Sequence, residues 1–100
     1  MTKDIQRMQM VLPKADFNRI QEDKEEGYVV DLHELKRDET KRLINNVINL
    51  TTHPCRISVI HGFNRGTVLQ QTVRTAIKNP RIRKITTVDY NPGITYLDIA

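Results

Sequence analysis

Two short runs rich in β-branched residues constrain this chain more than anything else in it. They are Tyr28-Val29-Val30-Asp31-Leu32-His33 and Arg56-Ile57-Ser58-Val59-Ile60-His61. Each reads as a strand, and each hands over to a segment with apolar residues at helical spacing. Within 38–51 these are Leu43, Ile44, Val47, Ile48 and Leu50; within 67–79 they are the paired positions 68/69, 72/73 and 76/77. That spacing is one face of a helix. Asp38 and Glu39 fall in the first turn, where acids favour the helix dipole. Pro54, and later Pro80 after Asn79, cannot continue the helices they follow. Residues 81–90 and 94–99 are two further strand candidates, and Asn91-Pro92-Gly93 between them predicts a tight turn and an antiparallel hairpin. The order β-α-β-α-β-β implies parallel strands joined by right-handed crossovers. The expected fold is therefore α/β: a two-layer sandwich with both helices on one face of the sheet and the other face partly open.

Residues 1–27 precede this unit as an N-terminal arm. A short helix is expected from about Lys14 to Glu26, with Phe17, Ile20 and Gln21 turned inward and Gly27 stopping it. Residues 28–100 form the folded domain, consistent with one domain in 100 residues. The lone cysteine, Cys55, cannot form an internal disulfide and fits a small apolar filler in a reducing compartment. No apolar run approaches a membrane span, and the first residues lack a signal-peptide core. The expectation is a soluble, cytoplasmic protein.

Charge is unevenly spread. Residues 1–50 hold nine Lys+Arg against ten Asp+Glu, whereas residues 51–100 hold seven against two. A C-terminal half so short of acids suits a polyanionic partner, nucleic acid above all. In parallel strand–helix units, ligands sit beyond the carboxyl ends of the strands. This chain loads those ends with Asp31, Leu32 and His33 on one strand and His61 and Gly62 on the next. After His61 the sequence runs Gly62, Phe63, Asn64, Arg65, Gly66 and Thr67 into a helix. A helix start offers unpaired N–H groups and partial positive charge to phosphate oxygens. Glycines let the backbone approach such a ligand, and Arg65 adds a bidentate donor. Thr67 is a cap or a hydroxyl contact, and Phe63 is placed to stack on an unpaired base. Arg74 and Lys78, one turn apart, extend the same track or form a solvated helix face. Residues 81–84 (Arg-Ile-Arg-Lys) are a phosphate-binding edge or ordinary edge-strand charge. His53 reads as incidental, and Tyr90 and Tyr96 as core or rim residues before base-stacking ones. Asp31, His33 and His61 also carry donor types that suit zinc, a minor alternative.

The segments 29–40, 57–74 and 91–99 together resemble the Smr (small MutS-related) domain, over almost the whole folded part. The resemblance rests on Asp31-Leu32-His33-Glu34 with its following helix, on His61-Gly62-Phe63-Asn64-Arg65-Gly66-Thr67, and on the closing Asn91-Pro92-Gly93 segment. It implies a four-stranded mixed sheet like that of the C-terminal domain of bacterial translation initiation factor three. The last strand there lies antiparallel inside an otherwise parallel sheet. It also implies DNA or RNA binding and, in several members, nicking or RNA-cleaving endonuclease activity, with functional positions matching Asp31, His33, His61, Gly62, Arg65 and Gly66. Glu34 stands where that family usually has glycine. For cleavage, His33 or His61 would serve as general acid or base, because imidazole titrates near working pH. Asp31 would orient it or hold a divalent ion such as magnesium. The competing expectation is a protein-interaction module that docks through residues 1–26.

Overall fold

The computed structural model describes residues 2–23, 25, 27–62 and 68–100. Its core is a mixed five-stranded sheet in the order β1-β2-β3-β5-β4. The strands are β1 (Ile20–Asp23), β2 (Gly27–Asp31), β3 (Cys55–Ile60), β4 (Ile82–Thr87) and β5 (Ile94–Ile99). β2 and β3 pair in parallel, with Tyr28 beside Ile57 and Val30 beside Val59. β5 pairs antiparallel to both β3 and β4. β4 therefore runs in the same direction as β3, and the Asn91-Pro92-Gly93 turn closes the hairpin read from sequence. The carboxyl ends of β2, β3 and β4 consequently share one edge of the sheet.

The helices are α1 (Lys3–Val11), α2 (Lys14–Phe17), α3 (Arg37–Leu50) and α4 (Val68–Gln71), the last running on into a π-helical turn over Thr72–Ala76. Alternation along the strands separates the two faces of the sheet. Tyr28, Val30, Ile57, Val59, Thr95, Leu97 and Ile99 are buried on one side. Leu43, Ile44, Val47 and Ile48 of α3 and Val73 of the π turn belong to the same cluster. On the other side lie Asp31 and Ile60, which are exposed, and Val29, Ser58 and Tyr96, which are half-buried. The architecture is thus the expected mixed α/β sandwich with one open face. α3 begins where its first-turn acids predict: Glu39 Oε1 accepts the Lys36 backbone N–H at 2.9 Å.

Two expectations need correction. The sheet has five strands rather than four, and residues 2–23, expected as an arm, are built into the fold. Thr2 Oγ1 accepts the Ile5 N–H at 3.2 Å and starts α1, whose Ile5 and Met8, with Leu12 just beyond, reach the core. Among its described residues, the segment read as one helix from Lys14 to Glu26 is helical only over Lys14–Phe17. It then extends and pairs antiparallel with β2, setting Ile20 opposite Val30. Ile20 is buried and Phe17 packs on the core, but Gln21 faces water. Pairing with a ready-made strand edge satisfies this backbone at once, and tertiary context of that kind overrides weak local propensity.

Candidate functional site

Two groups of predicted residues occupy the shared strand edge, and they do not merge. The first centres on His61. Because it follows Val59 by two positions, it falls on the helix-covered face, and it is 8% exposed. Its Nδ1 lies 2.9 Å from the Gly62 carbonyl oxygen and its Nε2 lies 2.8 Å from Thr95 Oγ1. A carbonyl can only accept, so Nδ1 carries the proton and Nε2 accepts from the Thr95 hydroxyl. The Thr95 oxygen in turn accepts from Arg74 Nε at 3.1 Å. Donors and acceptors are thus matched along Arg74, Thr95, His61 and Gly62 when the imidazole is neutral. Burial pushes the His61 pKa below 6.5; the hydrogen bond to Gly62 opposes this, and the nearby Arg74 charge reinforces it. Loss of the neutral ring would leave Thr95, which is fully buried, with two donors aimed at one oxygen.

The backbone around this network is clamped from the hairpin turn. Gly93 O accepts the N–H groups of both His61 and Gly62, at 2.9 and 3.1 Å. Gln70 Nε2 of α4 donates to Pro92 O at 3.0 Å. A Cβ on Gly93 would sit 3.3 Å from Gly62 Cα, so glycine there permits the close approach. Gly62 itself has φ of 74°, the left-handed region, and no atom of a described residue lies within 4 Å of where a side chain would project. Its requirement for glycine is conformational. The π turn places Arg74 within reach of Thr95; π turns often mark functional positions within helices. Arg74 is half-buried, and Nε is the one nitrogen of its guanidinium bonded to a described residue. Phe63, Asn64, Arg65, Gly66 and Thr67 lie outside the described residues.

The second group is Asp31 with His33. Asp31 Oδ1 accepts the His33 backbone N–H at 2.9 Å, and Arg19 Nη1 donates to the carbonyls of Asp31 and His33 at 3.1 and 2.6 Å. Asp31 follows Val29 on the open face and lines a shallow recess there with Asn18, Arg19 and Ile60. The His33 ring projects into solvent 3.6 Å from the Glu34 carboxylate. Neighbouring strand ends therefore send Asp31 and His61 to opposite faces of the sheet. Among the described residues no three His, Cys, Asp or Glu side chains converge as metal ligands. A single exposed carboxylate already capping a backbone N–H does not fit a dedicated magnesium site, and the zinc reading lacks a ligand set.

Other residues take roles that local sequence did not reveal. Arg81, read within a charged edge, spends its guanidinium on the carbonyls of Ile48, Thr51 and Ala100. It ties the end of α3 to the end of the chain. His53 Nδ1 sits 3.0 Å from the buried carboxylate of Asp4. Arg56 lies over the Tyr96 ring at 4.7 Å and pairs with Asp98 at 2.9 Å. Thr95 is the main omission; its partner lies 34 positions away, so no local pattern could expose it. No described helix is long and apolar enough to cross a membrane. Comparison with known protein families, curated proteins and solved structures finds no match.

Proposed function

We propose that the chain is a nucleic-acid-binding module that grips phosphates at the mouth of α4, using the Gly62 backbone, the loop that follows it and Arg74. One observation carries the reading: Arg74 is held through Nε by a buried hydroxyl that is itself fixed by His61. A guanidinium so anchored loses little side-chain entropy on meeting a phosphate. The basic bias of residues 51–100 supplies long-range attraction to the same partner. His61 acts here as a positioning residue, because both of its ring nitrogens are engaged and it orders Gly62 and Thr95. The proposal stops at binding. Asp31 lies across the sheet from His61, so the two supply no paired acid and base. Docking through residues 1–26 has less support, since Ile5, Met8, Leu12 and Ile20 are spent on the chain's own core.

The test is a salt titration of oligonucleotide affinity. Wild-type affinity falls steeply with salt, because phosphate contacts release counterions. Arg74→Ala reduces the log–log slope by about one and weakens binding roughly fivefold near physiological salt. Arg83→Ala, an equal change in charge near the amino end of β4, has a smaller effect. Salt-independent affinity, or equal losses from the two variants, contradicts the proposal.

A further inference from the structure

We infer that the module selects unpaired nucleotides and stacks a base on Tyr90, an inference that rests on the phosphate-gripping role proposed for Gly62 and Arg74. Tyr90 is 88% exposed, the most solvent-open of the large hydrophobic side chains among the described residues. The other two tyrosines are not available in this way: Tyr28 is buried in the core and Tyr96 lies beneath Arg56. A single exposed aromatic is unremarkable on an arbitrary surface. Its position here is what matters.

Tyr90 belongs to the turn between β4 and β5, at the edge where β3 ends. Thr87 pairs with Thr95, and Ile94 pairs with Ile60. The turn is pinned internally: the Asn91 N–H donates to Val88 O, the Ile94 N–H to Asn91 O and the Gly93 N–H to Asn91 Oδ1. Val88 is buried beneath it. Gly93 then accepts the His61 and Gly62 N–H groups. Tyr90 and Gly93 are three positions apart, so the Tyr90 Cα lies within about 11 Å of the Gly93 clamp. An aromatic ring is therefore presented from an ordered backbone beside the phosphate-binding mouth. Stacking needs a base face exposed, which a duplex denies and a single strand offers.

The experiment uses the whole chain, with poly-U, poly-dT and a blunt DNA duplex as probes. The protein has three tyrosines and no tryptophan, so intrinsic tyrosine emission reports the contact directly. Both single strands are expected to quench that emission and to bind more tightly than the duplex. Tyr90→Ala is expected to weaken single-strand binding by roughly fivefold or more, with duplex affinity little changed, and Tyr90→Phe to restore it. Preference for poly-U over poly-dT, or the reverse, distinguishes RNA from DNA as the partner within this chemistry. If Tyr90→Ala binds single strands like wild type while affinity still falls with salt, the stacking inference fails and the phosphate reading stands. Salt-independent affinity for every probe overturns both.

Discussion

Glu34 is the residue at which backbone and side chain disagree most plainly. Its φ of 66° lies in the left-handed region, where a Cβ costs roughly 1–2 kcal/mol. The chain turns there between the end of β2 and the start of α3, and the exposed carboxylate makes only a loose approach to His33. Glu34→Gly removes the strain, and part of the gain is offset by the greater freedom of glycine in the unfolded chain. The expected result is a stabilisation of about 0.5–1 kcal/mol in urea denaturation, with tighter oligonucleotide binding because a negative charge leaves the rim. A lower denaturation midpoint would contradict this reading of the turn. Some of the site's frame was legible residue by residue: His61 and Gly62 do follow directly on a strand, β3. The direction of each side chain was not. Period-two alternation assigns Asp31 and His61 to faces only once the register of β2 against β3 is known, and that register is a property of the sheet.

At the scale of elements, α3, β3 and β5 declared themselves because their apolar spacing is dense and their ends are marked by acids, prolines or glycine. α1 carried a fainter signal, a threonine cap followed by Ile5, Met8 and Leu12 at helical intervals. What holds it is a contact that no spacing rule reveals. Asp4 accepts from the Thr52 N–H at 3.0 Å, from Thr52 Oγ1 at 2.8 Å and from His53 Nδ1 at 3.0 Å, latching the first helix to the loop between α3 and β3. Burial alone would raise the pKa of this carboxyl, but the Thr52 hydrogen bonds and the His53 contact outweigh it and hold it below 3.8. Because the folded pKa is the lower one, the stabilisation is present in full above 3.8 and is lost as pH falls through the folded value. Asp4→Ala is expected to cost about 1–3 kcal/mol at neutral pH, since it leaves the Thr52 N–H without its partner. Its stability also falls less steeply than wild type across the acid range. Parallel acid limbs in pH-dependent urea titrations would show that the latch contributes nothing.

Across the whole molecule, one sheet edge is proposed for recognition, and the contacts at the opposite edge give that one to closure. The first of these edges gathers the carboxyl ends of three strands, Gly62, a clamped hairpin turn and an anchored arginine. At the other edge Arg81 ties the end of α3 to the last residue, and Asp4 fastens α1 beside it. Among the described basic residues of the C-terminal half, Arg74 lies at the first edge, whereas Arg81, Arg83 and Lys84 lie toward the opposite one. Titrating ¹⁵N-labelled protein with a short single-stranded oligonucleotide and mapping the amide shifts tests this division most directly. The account predicts that the shifts cluster at Gly62, residues 68–74 and residues 90–95, and that they weaken together as salt is added. Shifts centred on the open sheet face around Arg56 and Tyr96, or on the Asp4 and Arg81 edge, would contradict it.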